Sequence, residues 1–337
     1  LVKLGGLLDV TDAVYGDLGI DMDKWWFPEG IEAYTWGGRL YGVPCEANAT
    51  NGASVRVDLL AAAGSAADGL WPGDAGVQFE SYDQLFSLAA ALQQKSGDSV
   101  KVWGQNRQGW EILGLASMLR QQGIQWYDEQ SGAFNFENDA CVNALEHLVT
   151  RPYGLGIESK LATDNTVAAF VAGTTAIGIG NIGAAGEGTK VGFPGTNFVV
   201  PSIVAGEPSS FVGEAGWGFE VPLRAKNQDA AIEFLKFMTT YNAQHTWSQI
   251  YGGAMPALRP LFTSNIYEGD SDLKKGQRRL LTACENTTYM GHGFDPQIYD
   301  MVGTIVSSLR EGSMDARQTA AELQRQLTAQ QARFNEA

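Results

Sequence analysis

The side chains with the clearest chemical potential in this sequence are tryptophans that stand beside glycines. Trp103 and Trp110 flank the polar stretch 104–109, and Trp217 lies between two glycines. Aromatic rings suit ligands with flat apolar faces, such as sugar rings, and glycines let a ligand approach the backbone closely. For any one tryptophan, packing in a hydrophobic core is the better explanation. Together they raise carbohydrate binding as a hypothesis.

Motifs typical of enzymes are weak in this chain. Paired carboxylates can support glycoside hydrolysis, but with 38 acidic residues such pairs are not specific. The stretch 178–183 fits GxGxxG without a convincing helix behind it, and neither a GxxxxGK[ST] phosphate loop nor a GxSxG serine motif occurs. We therefore expect no cofactor, and a glycoside hydrolase that uses paired carboxylates is kept as the alternative function.

Cysteine and histidine positions do not form a metal-binding pattern. Cys45, Cys141 and Cys284 are far apart, and the three histidines are equally scattered. The cysteines could form one disulfide and leave one free thiol, or all three could be small buried hydrophobic residues, which we favour. No metal site is expected, and His147 lies in a helical pattern that indicates a structural role.

The composition indicates a folded, acidic protein of about two domains. The chain has 337 residues, of which 44% are hydrophobic, and a formal net charge of −15. The hydrophobic share excludes a disordered chain. The negative charge argues against nucleic acid as a partner and against charge-driven adsorption to anionic lipid. No apolar run reaches the ~20 residues that a membrane-spanning helix needs.

Hydrophobic periodicity predicts the elements that must position these side chains. Apolar stripes at helical spacing predict helices over 81–95, 111–122, 139–151, 163–172, 229–240, 299–309 and 316–334. Short β-type runs predict strands at 40–44, 175–179 and 217–221, and glycine-rich stretches predict loops at 68–76 and 183–192. Short strands separated by helices indicate an α/β protein with open sheets.

Four segments, taken in order, resemble one protein family. They are AYTWGGRLYGVPCEANAT at 33–50, AAFVAGTTAIGIG at 168–180, FVGEAGWGF at 211–219 with KNQDAAIEFLKF at 226–237, and GGAMPA at 252–257. Each is similar to a segment of the extracellular solute-binding proteins of ABC importers, the family that includes the maltose-binding protein. Together they span nearly the whole chain.

Three departures from the family pattern affect the expected site. VRVD at 55–58 stands where the family usually has YNKD, and Asn181-Ile182 stands where a tryptophan often provides a stacking platform. The family also begins with about two further βαβ units, ~60 to 80 residues in all. We therefore expect an N-terminal segment to be missing, with part of the ligand cleft and the lipid-anchored start of many bacterial members.

The resemblance implies an α/β, periplasmic-binding-protein-like fold of two hinge-connected lobes that are discontinuous in sequence. Lobe one would comprise 1–45 and 212–270, and lobe two 46–211 and 271–337. A small carbohydrate would bind in the interlobe cleft, and hinge closure would prepare the protein to deliver it to ABC transporter permease subunits. The expected protein is a monomeric, extracytoplasmic receptor without enzymatic activity, periplasmic or attached to the cell surface through a lipid anchor.

The resemblance also implies which residues line this cleft. Carboxylates and amides would bind sugar hydroxyls, and aromatic rings would cover the apolar faces of the sugar. The expected ligand-binding residues are Glu46, Asn48, Trp110, Glu111, Asn181, Glu214, Trp217, Asp295 and Tyr299. Tyr299 is equally well explained as helix core, and Glu111 and Glu214 as solvated acids. Relatives also take glycerol phosphates, but a phosphate needs basic partners, and the candidate segments contain few.

Overall fold

The structure is a computed structural model that describes residues 2–16, 22–47, 52–60, 63–64, 79–109, 111–159, 165–251 and 255–336. The predicted loop at 68–76 and the expected site residues Asn48 and Trp110 lie outside the described residues. In the described ranges, none of the helices combines the length and the apolar character needed to cross a lipid bilayer.

Helices and short strands alternate along the chain, so the expected α/β class is confirmed. The helices are α1 (Met22–Trp25), α2 (Pro28–Ala33), α3 (Val57–Leu60), α4 (Tyr82–Leu92), α5 (Glu111–Gln121), α6 (Asp139–Leu145), α7 (Arg151–Gly154), α8 (Thr166–Val171), α9 (Gly183–Lys190), α10 (Gln228–Met238), α11 (Tyr241–Tyr251), α12 (Asp272–Glu285), α13 (Ile298–Glu311) and α14 (Ala316–Glu336). The strands are β1 (Thr35–Trp36), β2 (Arg39–Leu40), β3 (Gly42–Pro44), β4 (Glu46–Ala47), β5 (Gly52–Arg56), β6 (Gln94–Ser96), β7 (Ser99–Arg107), β8 (Tyr127–Asp128), β9 (Ala133–Phe134), β10 (Thr175–Ile179), β11 (Gly195–Val199), β12 (Phe211–Gly213), β13 (Gly218–Glu220), β14 (Met255–Pro256) and β15 (Thr287–Tyr289).

All seven predicted helices are present, with shifted ends. The helix predicted over 139–151 consists of α6 and α7 joined by a π-helical turn at Glu146–Thr150. Glycines follow the ends of three predicted helices: Gly123, Gly173 and Gly312 come after α5, α8 and α13, with φ of 76°, 70° and 80°. Only glycine adopts this left-handed conformation without a steric cost, which is why these positions end helices.

The prediction of a loop at 183–192 is wrong, because α9 occupies most of it. Its glycines indicate a loop from sequence alone, but they allow close packing of the helix. A Cβ at Gly188 would lie 2.5 Å from the Phe170 ring. In α9 this tertiary contact outweighs the low propensity of glycine for helices. Helices α11 and α12 have no counterpart among the predicted elements.

A five-stranded sheet of order β11-β5-β10-β7-β6 forms the centre of the larger of two main hydrophobic cores. Strand β10 pairs in parallel with β7 and antiparallel with β5. Helix α4 packs on this sheet, and α5, α13 and α14 pack on one another in the same core, where they bury residues such as Leu88, Leu115, Val302 and Leu323. The strand predicted at 175–179 is β10 itself, and it is fully buried.

The second main core collects distant parts of the sequence around the β3–β13 pair. Val14, Val43, Val221, Leu235 and Leu261 belong to it. The larger core runs from Ala53 to Val212 and resumes at Met290. Along the described ranges the chain therefore passes between the two cores near residues 45–52, 212–221 and 261–290.

A smaller apolar cluster joins these two regions. It brings Phe27, Ala47 and Met255 together with Ile182 and with Leu280 of α12. The α12 helix also packs closely on β11 of the five-stranded sheet, where a side chain at Gly276 would overlap the backbone of Asn197.

The three cysteines are free and buried, which confirms the favoured expectation for them. Burial raises the pKa of the Cys45 and Cys141 thiols to about 12.

Candidate functional site

The second passage between the cores includes residues 213–217, which contain two of the expected site residues. It connects the end of β12 at Gly213 to the start of β13 at Gly218, so it contains Glu214 and Trp217. Ala215, between them, has a left-handed backbone with φ of 60°. This conformation is uncommon for a residue with a Cβ and persists where surrounding contacts impose it.

Glu46 and Trp217 are brought together at this passage. Glu46 lies in β4 and is 7% exposed. Its Oε1 accepts a hydrogen bond from the Trp217 backbone N–H at 2.8 Å, and the Trp217 carbonyl accepts one from Cys45 N at 2.8 Å. Burial raises the pKa of the Glu46 carboxyl, against the lowering effect of the bond from Trp217. Glu46 therefore holds the backbone of this segment.

The Trp217 side chain, by contrast, points to solvent and is 63% exposed. An exposed indole on a backbone that is fixed by two hydrogen bonds is unusual for a residue with so large an apolar surface. It is available to cover the apolar face of a ligand.

Glu214 and Tyr299 form a second pair at the same place. The Tyr299 hydroxyl lies near Glu214 and donates a hydrogen bond to Met290 Sδ at 2.6 Å. Burial raises the pKa of Glu214, while the nearby Tyr299 hydroxyl lowers it. Burial and the neighbouring Glu214 charge raise the pKa of Tyr299. A half-buried carboxylate beside a phenol is a suitable partner for ligand hydroxyls.

Two other expected site residues, Glu111 and Asn181, have side chains that accept hydrogen bonds from neighbouring parts of the protein. Glu111, at the start of α5, is buried and accepts a hydrogen bond from Arg310 Nη2 at 2.8 Å. The Asn181 side chain accepts from Gly183 N at 3.0 Å, at the N-terminus of α9. The structure thus assigns both side chains a local structural contact.

Asp295 is also committed locally. One of its carboxylate oxygens accepts from Gln297 N at 3.0 Å, before α13, and the other accepts from the Gln330 side chain at 2.5 Å. Its backbone N–H donates to Gln331 at 3.0 Å. Asp295 therefore joins the start of α13 to α14.

Sequence reasoning missed Glu29. This acid of α2 is fully buried, and its Oε1 accepts a hydrogen bond from Ala215 N at 3.0 Å. A second missed contact comes from Tyr34, whose hydroxyl donates to the Gly216 carbonyl at 3.4 Å. The partners are more than 180 positions away in sequence, so local pattern carries no signal for them.

A cavity in the described part of the chain reaches this passage at Val212 and at Met290, the residue that the Tyr299 hydroxyl contacts. It has a volume of about 950 Å³ and is bounded by residues 123–130, by Thr288–Gly291 and by Glu32. Glu32 and Glu129 already accept backbone hydrogen bonds there, from Tyr289 at 3.1 Å and His292 at 2.9 Å. None of the described residues expected in the site lines this cavity.

Metal-ligating side chains do not cluster in the described ranges. Within the described ranges, His, Cys, Asp and Glu side chains form no group of three or more that could hold a metal ion. The side chains at residues 213–217 offer a carboxylate for hydrogen bonding and an indole for ring stacking.

Comparison with solved structures gives the same fold over the whole chain. The chain is similar to the sugar-binding protein MalE from the phytopathogen Xanthomonas citri, with TM-score 0.76 and 15% identity over 100% of this chain and 82% of that chain. It is similar to Lmo0181, an ABC substrate-binding protein from Listeria monocytogenes in complex with cycloalternan, with TM-score 0.77 and 15% identity over 97% and 81% of the two chains. It is also similar to UgpB from Mycobacterium tuberculosis in complex with glycerophosphocholine, with TM-score 0.75 and 17% identity over 99% and 81%.

These likenesses confirm the expected two-lobed, periplasmic-binding-protein-like α/β fold. No curated protein matches the sequence. The family model for bacterial extracellular solute-binding proteins matches residues 1–274. That match covers most of the chain and confirms the resemblance carried by the four segments. The chain therefore belongs to the family of bacterial extracellular solute-binding proteins.

Proposed function

We propose that this solute-binding protein captures a small carbohydrate between its lobes and delivers it to the permease subunits of an ABC importer. Membership of an extracellular family places its work outside the cytoplasm. The family consists of binding proteins rather than enzymes, so the glycoside hydrolase alternative has no support. Two similar structures, the MalE protein and the cycloalternan-bound protein, are described as sugar-binding or saccharide-bound, which supports a carbohydrate ligand.

The observation that carries the proposal is the exposed Trp217 indole in the same short segment as Glu214, whose carboxyl lies near the Tyr299 hydroxyl. An apolar ring face and hydrogen-bonding oxygens are the two features that a sugar ring requires. Asn48 and Trp110 remain proposed contacts of the same cleft. Glu46 acts in this proposal through the backbone of Trp217, while Glu111, Asn181 and Asp295 support the elements around the site.

The proposal includes lobes that close on the ligand. Lobe one would contain residues 1–45 and 212–270, and lobe two 46–211 and 271–337. The two main cores support most of this assignment, since one holds Val43 and Val221 and the other holds Ala53 and Val302. Val212 packs in the core with Ala53, so the second boundary would follow this residue. Attachment to the cell surface through a lipid anchor and a monomeric state belong to the same proposal.

The test is calorimetric titration of maltotriose, cycloalternan, tagatose and glycerophosphocholine into the protein and into Trp217→Ala. We expect saturable binding of at least one saccharide and an affinity more than tenfold lower in Trp217→Ala, because the stacking surface is lost. Trp25→Ala is the matched control, since Trp25 is also exposed, at 38%, but lies in α1.

Thermal stability should be near wild type in both variants, because exposed rings contribute little to the core. Equal affinities of the wild type and Trp217→Ala would contradict the role of Trp217. If the protein binds glycerophosphocholine and none of the saccharides, its ligand is a phosphodiester and not a carbohydrate.

A further inference from the structure

Two buried carboxylates hold the segment 213–217 from the same side. Glu29 of α2 accepts the Ala215 N–H at 3.0 Å, and Glu46 of β4 accepts the Trp217 N–H at 2.8 Å. Both acids lie next to the small apolar cluster that joins the two main cores, where Phe27 and Ala47 are their buried neighbours. Alternate backbone N–H groups of one short segment are thus bound by acids that are distant in sequence.

The glycines of the segment make room for these carboxylates. A Cβ at Gly213 would overlap the carboxylate of Glu29, and a Cβ at Gly216 would overlap the side chain of Glu46. No residue with a side chain fits at either position without moving an acid. Glycine at these two positions therefore leaves the space that the two carboxylates occupy.

The left-handed Ala215 is the consequence of this arrangement. Its φ of 60° turns the chain between Glu214 and Trp217, and its N–H is the group that Glu29 binds. Since an L-residue avoids this conformation on its own, an external contact has to hold it. A hydrogen bond to a buried side-chain oxygen serves that purpose, because breaking it would leave a buried N–H without a partner.

We propose that Glu29 and Glu46 form an acid clamp, defined as these two carboxylates with the N–H groups of Ala215 and Trp217, that positions the ligand-binding side chains. Glu29 is a positioning residue: it touches no ligand, but it fixes the turn that places Glu214 and Trp217. The effect of this positioning on ligand affinity rests on the proposed carbohydrate function.

The test compares Glu29→Asp with Glu29→Gln. Aspartate keeps the charge but is one methylene shorter, so it withdraws the acceptor from Ala215 N. Glutamine keeps the reach and an acceptor oxygen but removes the charge. Glu220→Asp is the matched control, because Glu220 lies in β13 of the same passage and takes no part in the clamp.

The first readout needs no ligand. Amide hydrogen exchange of Ala215 and Trp217, followed by NMR after selective ¹⁵N-alanine and ¹⁵N-tryptophan labelling, reports each clamp bond separately. We expect exchange at Ala215 to accelerate at least tenfold in Glu29→Asp and to stay within twofold of wild type in Glu29→Gln and Glu220→Asp. Wild-type exchange at Ala215 in Glu29→Asp would overturn the clamp, and equal acceleration in the control would do the same.

The second readout is maltotriose affinity together with the change in Trp217 fluorescence, isolated by subtracting the spectrum of each variant that also carries Trp217→Phe. Glu29→Asp should bind at least fivefold more weakly and show an altered Trp217 signal, and Glu29→Gln should restore both. A wild-type protein that binds no saccharide would refute the proposed function but leave the exchange result standing. Normal affinity of Glu29→Asp together with accelerated exchange would refute the positioning role alone.

Discussion

At the scale of single residues, the acids of this protein divide into those that hold its backbone and those that remain available. Glu46, Glu111 and Asp295 are typical ligand contacts by residue type, yet each is buried against a partner within the protein. Glu214, whose carboxyl lies near the Tyr299 hydroxyl and which shares a short segment with an exposed indole, is the acid that keeps the character of a ligand contact. The residue type indicates which hydrogen bonds a side chain can make, and its burial determines whether the partner is a ligand or another part of the protein.

Glu158 gives a prediction about pH. It is 5% exposed, accepts a hydrogen bond from Gln105 Nε2 at 2.8 Å, and has a pKa raised by burial despite the neighbouring Arg107. As pH rises above the unfolded pKa of about 4.3, the unfolded chain loses this proton first. The native state then binds more protons than the unfolded state, so this group makes stability fall with rising pH.

Glu158→Gln removes that dependence and keeps an acceptor for Gln105. We therefore expect the urea midpoint of the variant, relative to wild type, to increase between pH 4 and pH 7. Glu322→Gln should show the opposite trend in a lower range, between about pH 2 and pH 4.3, because hydrogen bonds from Arg325 and Gln326 lower the pKa of Glu322 to about 2. Parallel midpoints for Glu158→Gln and wild type across this range would contradict the prediction.

At the scale of elements, helices with a continuous apolar stripe were predictable and the glycine-rich helix was not. The stripe over 229–240 predicts α10 to within two residues, and Asn227 caps it by accepting from Ala230 N at 3.3 Å. In α9 the apolar face consists of Ala184, Ala185 and Gly188, which carry too little hydrophobicity to form a stripe. Their small size serves close approach to the sheet and to Phe170.

The packing of α9 predicts that Gly188→Ala destabilises the protein. Alanine gains up to about 1 kcal/mol of helix propensity over glycine, but an added methyl in a filled site typically costs about 1–3 kcal/mol. We expect a net loss of about 1 kcal/mol or more, measured by urea unfolding. Gly154→Ala is the matched control, because Gly154 is helical with open space around its Cα and should be neutral or slightly stabilising. A stabilised Gly188→Ala would show that Phe170 moves aside.

At the scale of the whole molecule, two cores are connected by passages near residues 45–52, 212–221 and 261–290, and the candidate site lies on the middle passage. A ligand that contacts both sides of such a passage selects the arrangement in which both contacts are made. In the proposed function, a site at this position would couple binding to the relative position of the lobes, which is a property that a permease can recognise.

This coupling predicts compaction on ligand binding. The radius of gyration from small-angle X-ray scattering should decrease when a saturating saccharide identified by calorimetry is added. Trp217→Ala at the same saccharide concentration should stay at the unliganded value, because it binds too weakly to close. An unchanged radius in fully saturated wild type would contradict hinge closure while leaving binding intact.

The sequence by itself determined the α/β class, the seven striped helices, the three strands, the buried cysteines and, through four segments, the family. These properties follow from local periodicity, turn chemistry and short motifs, which are written in neighbouring residues. The same motifs predict that Trp217 and Glu214 belong to one site, because both lie in one segment beside the same glycines.

Only the tertiary structure decided which acids are free for a ligand. Glu29 meets Ala215 across 186 positions and Glu46 meets Trp217 across 171, and no local pattern encodes a partner at that separation. Tertiary contact likewise turned a glycine-rich stretch into α9 and gave Glu111 and Asp295 structural partners. The physical reason is common to all of these cases: a buried polar group must find a hydrogen-bond partner, and the fold alone determines which partner lies within reach.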